Sequence, residues 1–147
     1  MTRLGDVLTL PDADALADLA TFVGRAKRVD PDGAARLVGH GDVLAVYVSP
    51  VHGSGGPTVL GLRTLQLALA STTDVTVPLA ALTDRLARTG PELPDRPDLA
   101  GPVALAVPPA EAVGAAWAGM APPRRGWHGV GEVAAETLRT RAAAGVA

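Results

Sequence analysis

The residues best suited to chemistry lie in two short stretches. The first is His52-Gly53-Ser54-Gly55-Gly56-Pro57, which sets a hydroxyl among glycines beside an imidazole; His40, Asp42 and Asp74 are further partners that a fold could recruit. Serine becomes a nucleophile when a neighbouring base takes its proton and a third group orients that base, the chemistry of a small hydrolase or transferase using Ser54 and His52. The same loop, Gly53 to Gly56, could also turn backbone N–H groups toward an anion, with Arg36 or Arg63 adding charge. It lacks the Gly-Lys-Ser/Thr ending that delivers a lysine and a metal ligand to a bound phosphate. The second stretch is Pro122-Pro123-Arg124-Arg125-Gly126-Trp127-His128. Here the forked guanidiniums of Arg124 and Arg125 and the indole of Trp127 stand on a proline-stiffened backbone, with Trp117 shortly before. These residue types dominate binding hot spots, and guanidinium matches carboxylate or phosphate in a planar two-bond geometry.

Each feature also has a plainer role. Glycines serve the backbone of a loop, and Asp30, Asp32, Asp42 and Asp74 suit turns and helix ends because aspartate bonds its own backbone. His40, His52 and His128 lack the close spacing of a metal motif. Trp127 fits a helix–helix connector that caps the core. No residue is assigned as catalytic, and neither a metal nor a cofactor is expected.

Composition narrows the function classes. The chain has 147 residues, no cysteine and a net charge of −2 with acids and bases interspersed. A length of this order supports one core without staples. Missing cysteine removes disulfides, thiolate catalysis and cysteine-bound zinc, while the charge balance argues against nucleic acid. The first residues lack a signal peptide's order, and Asp12, Asp14 and Asp18 interrupt any span, so a soluble cytoplasmic protein off the membrane is expected.

The positioning elements can be read from periodicity. Val43–Val48 is a short apolar run between Gly41-Asp42 and Ser49-Pro50, which predicts a strand buried on both faces at the centre of the fold. Before it, Asp12 to Arg28 predicts a helix with Leu16, Leu19, Ala20, Val23 and Ala26 in one stripe, stopped by Asp30-Pro31-Asp32-Gly33. Ala34–Val38 and Val43–Val48 read as a hairpin turning at Gly39–Asp42. In Thr58–Ala70 the leucines change parity near Thr64, as a β-bulge would make them do. Asp74–Val77 is a short strand, and Pro78 opens a helix with Leu79, Leu82 and Leu86 on one face, closed at Gly90. Leu4–Leu10 does not discriminate strand from helix. Residues 91–102 hold four prolines and read as an extended connector, the place for any internal boundary, leading to a more helical C-terminal part. There Val103–Val107 reads as a strand. A small-residue helix from Pro108 carries Val113, Trp117 and Met120, and a last helix spans roughly Glu132 to Ala144.

Four phrases, "DPDGAARLVGHGDVLAVYV" (Asp30–Val48), "PTVLGLRTLQLA" (Pro57–Ala68), "DVTVPLAALTDRLAR" (Asp74–Arg88) and "PPRRGW" (Pro122–Trp127), resemble an uncharacterised actinobacterial protein family of unknown activity. The resemblance spans most of the chain and implies no catalytic residue or cofactor; it implies chains that continue past Ala147. Gly53-Ser54-Gly55-Gly56-Pro57 also resembles the nucleophile loop of chymotrypsin-like proteases. The acid that precedes that serine is missing, and the chain is too short for two barrels.

The reading is therefore a single α+β domain over residues 1–147, an antiparallel sheet of about four strands with helices packed mainly on one face. Its expected function is a non-catalytic binding or assembly module that self-associates or takes a protein partner through Arg124, Arg125, Trp117 and Trp127. The alternatives are the Ser54/His52 enzyme and a sensor of an anionic small molecule held by Arg124, Arg125 and the glycine loop.

Overall fold

The computed structural model describes residues 7–53, 56–90, 101–110, 115–119, 122–123 and 125–146. Its element order is β1 (Val7–Leu10), α1 (Ala13–Val29), β2 (Ala34–Val51), β3 (Val59–Ser71), β4 (Asp74–Pro78), α2 (Leu79–Thr89), β5 (Val103–Ala106), one 3-10 turn (Ala116–Gly119) and α3 (Ala135–Val146). The fold is α+β with antiparallel pairing throughout, divided between a β1–β5 pair and a sheet in which β2 bonds both β3 and β4.

The two helices that pack begin and end where their sequences dictate. Asp12 caps α1, its Oδ1 accepting the Ala15 N–H at 2.8 Å, while Lys27 and Arg28 occupy the last turn against the negative helix end. Gly33 then turns the chain, its N–H bonding the Asp30 carbonyl at 3.1 Å. Leu16, Leu19 and Val23 of α1 and Leu79, Leu82 and Leu86 of α2 are buried, as the stripes predict. They meet Leu8 and Leu10 of β1, Leu44 and Val46 of β2, and Leu105 of β5 in one core cluster. Residues on either side of the 91–100 stretch thus share the same core; that stretch itself lies outside the described residues.

Two expectations are corrected at β2. No hairpin forms at Gly39–Asp42, because the chain continues as one strand of 18 residues. Ala35 and Leu37 are buried on one parity and Leu44, Val46 and Val48 on the other, so the kink swaps parity and keeps both halves apolar toward the core. Glycine makes the kink possible: Gly41 sits at φ +61°, and a Cβ on Gly39 would stand 2.7 Å from the Ser71 carbonyl oxygen. On β3 the extra residues lie between the pairs Val43↔Gln66 and Gly41↔Ser71, later than Thr64. Leu62 consequently faces outward opposite Tyr47 and is exposed.

β4 continues β3 along the same edge of β2. The Leu79 N–H bonds the Gly33 carbonyl at 2.9 Å and the Gly39 N–H bonds Thr73, between the two strands, at 2.7 Å. Gly33, Gly39 and Gly41 share the parity that points toward this partner, and Gly41 opposes Ser71 in the same register in which Val38 opposes Asp74. The expected central strand is therefore paired along one edge. Its inner face lies under α1, where Phe22 approaches Gly61, and its outer face is half covered.

Candidate functional site

The glycine loop joins β2 to β3. Ser49, buried near the end of β2, donates its hydroxyl to the carbonyls of Val51 and Val59, each at 3.0 Å, which pinches the loop's neck. Just beyond, His52 Nε2 stands 3.1 Å from Asp30 Oδ2 at the C-terminal end of α1. That contact joins two residues far apart in sequence, and no local spacing announces it. Ser54 and Gly55 lie outside the described residues; Gly53 and Gly56 are exposed.

Strand geometry separates the other recruits from this loop. His40, Asp42 and Asp74 sit at the kink, Asp74 opposite Val38. At about 3.3 Å per residue, the run of β2 from His40 to Val51 is roughly 35 Å. That run of strand stands between His40, Asp42 and Asp74 at the kink and the His52–Asp30 contact at the loop. The arginines considered for an anion are occupied by carboxylates. Arg63 donates from Nε and Nη2 to Asp18 Oδ2, the first bond at 2.9 Å, and Arg36 is held by Asp74. Among the described residues no group of three or more histidines and acids is placed to hold a metal.

Arg36 organises the outer face. Its Nε and Nη2 donate to the two oxygens of Asp74, both at 2.8 Å, and Nη1 donates to the Ala118 carbonyl at 2.7 Å. The Asp74 hydrogen bonds hold the guanidinium's pKa above its ordinary value against the opposing effect of partial burial, with the charge of Asp74 and the nearby Tyr47 adding to the rise. Arg36 thus fastens the 3-10 turn to β2, and Trp117 in that turn is buried at 4% exposure. Trp117, expected on a binding surface, is buried beside this contact. Of the small-residue helix expected from Pro108, residues 111–114 and Met120 lie outside the described residues, and 116–119 form only the short turn.

Past that turn the environment changes. Every described residue from Arg125 to Gly145 is exposed, including Trp127 at 72%, Val130 at 95% and Leu138 at 58%. Trp127 does not cap the core; its Nε1 donates to the Pro123 carbonyl, which holds the indole against its own loop. Arg124 lies outside the described residues. The last helix begins at Ala135, later than expected, so Val133 precedes it; Arg139 Nη1 bonds Glu136 Oε2 at 2.9 Å along its surface. Among the described residues no helix is long and apolar enough to cross a membrane.

The chain belongs to the family described as Domain of unknown function (DUF8010), whose model matches residues 4–119. That match takes in the packed elements through the 3-10 turn and stops before the exposed C-terminal segment. No curated protein and no solved structure matches the chain.

Proposed function

We propose that this chain is a non-catalytic binding or assembly module of a cytoplasmic protein, in which the packed body presents residues 122–146 as an arm to a protein partner. The observation that carries the reading is the uninterrupted exposure from Arg125 to Gly145, with Trp127, Val130, Val133 and Leu138 in water. Isolated helices shorter than about 12–15 residues are marginal in water, and α3 has 12. An exposed segment of this kind gains stability by laying Trp127, Val130, Val133 and Leu138 against a partner's surface. Arg125 beside Trp127 supplies the residue pairing that anchors such contacts. The phrases that resemble actinobacterial chains support an actinobacterial origin, and the evenly mixed charge suits a protein partner better than nucleic acid.

The test is quantitative affinity purification of the tagged chain from its own cytosol, beside a Trp127→Ser/Leu138→Ser variant. The reading expects a partner recovered stoichiometrically with the wild type and lost from the variant at unchanged melting temperature. Equal recovery by both chains would reject the arm as the binding element.

One observation favours a second reading, a small hydrolase or transferase: Asp30 holds His52 at the mouth of the loop that carries Ser54. A serine-directed phosphonate should label the wild type and not S54A if this holds; absence of labelling removes it.

A further inference from the structure

Along Val43–Val51, β2 has one edge bonded to β3, and among the described residues no other strand pairs with it. An unpaired edge presents a row of N–H and C=O groups that templates another strand, and proteins that keep such an edge single guard it with charge, proline or a bulge. This edge is unguarded for most of its length. Val43 to Val51 contains no charged residue, the kink lies before it, and both Pro50 and the register shift between Val48 and Val51 come only at its end. The nearest charges are engaged within the chain, Asp42 with Gln66 at 3.0 Å and His52 with Asp30 at 3.1 Å. Beside the edge, Val43 and Val51 are exposed, as are Val59 and Leu62 on the neighbouring strand.

We infer that this edge of β2 pairs antiparallel with the same edge of a second copy, joining the two sheets across a two-fold axis. A strand without a charged residue meets itself without placing like charges opposite one another, which an arbitrary partner strand would not guarantee. The contact also closes, since the other edge of β2 is taken by β3 and β4; each copy offers this surface once and the product is a dimer. Seven residues, Val43–Ser49, give a ladder of roughly 23 Å per strand. Lysine at Val43 places a charge in that ladder and lysine at Val51 places one two residues past its end, each altering a side chain already in water in the single chain.

The proposal goes beyond the arm and is separable from it. The full-length chain, its Val43→Lys/Val51→Lys variant, its Val51→Lys variant and the arm variant Trp127→Ser/Leu138→Ser are compared by sedimentation equilibrium. Amide exchange of the wild type is followed over the same concentrations. The expected result is a wild-type dimer whose amides within 43–49 become protected as it forms, and a double-lysine monomer that melts with the single chain. Val51→Lys alone should weaken association by about tenfold or less, and the arm variant should dimerise as the wild type does. A wild-type monomer throughout, a dimer indifferent to both lysine variants, or protection outside 43–49 overturns the edge pairing. Dimerisation lost only in the arm variant overturns it too, while leaving the arm reading in place.

Discussion

Trp117 and Trp127 stand close in sequence, in similar company of glycine, alanine and proline, and have opposite fates: the first is 4% exposed, the second 72%. What separates them is a partner. Trp117 rides on a turn that Arg36 fastens to β2 through the Ala118 carbonyl, and its side chain is buried there. Trp127 bonds Pro123 of its own loop. The family match draws the same line, ending with the turn that holds Trp117. An indole's burial is set by the surface that waits for it, so the body and the arm should answer differently to the same kinds of substitution.

The sharpest contrast comes from charge in the core. Val46 is fully buried beneath α1, and Val46→Asp leaves a carboxylate without a partner, costing several kcal/mol, about the whole stability of a small domain. No cooperative melt should remain; a soluble variant with a normal thermal transition would contradict the packing of β2. Next is Leu82→Ala in α2, fully buried, with an expected loss of about 2–5 kcal/mol in denaturant unfolding. Arg36→Ala should cost about 1–2 kcal/mol, since it removes the hydrogen bonds to Asp74 and to the Ala118 carbonyl together. It should also shift Trp117 emission to the red. Because the Arg36 pKa is raised, its contribution is complete below the ordinary arginine range and fades only as pH climbs past it, so this loss should be constant from mildly acid to mildly alkaline pH. At the small end, Leu138→Ser in the arm should change stability by less than about 0.5 kcal/mol; a larger loss would mean that α3 packs on the body.

Much of the body was legible because its signals are local. Asp12, the leucine stripes of α1 and α2 and the Asp30–Gly33 turn each act within a few residues, and the structure follows them. The kink in β2 resembles a hairpin in sequence for a physical reason. Gly39-His40-Gly41-Asp42 carries the chemistry of a tight turn, and only the register with Ser71 and Thr73, on the partner strand, makes it a bend within one strand. Val43–Val48 announces burial, but whether a strand has one paired edge or two depends on chains that its own residues do not encode. The His52–Asp30 contact and the occupation of Arg36 and Arg63 are tertiary in the same sense, as is the difference between the two indoles.

That difference can be measured directly with single-tryptophan chains, W127F reporting Trp117 and W117F reporting Trp127, by emission maximum and acrylamide quenching of the protein alone. Trp117 should be blue-shifted and poorly quenched, and Trp127 red-shifted and freely quenched until a partner is added and shields it. A Trp127 already shielded in the isolated monomer would contradict the arm.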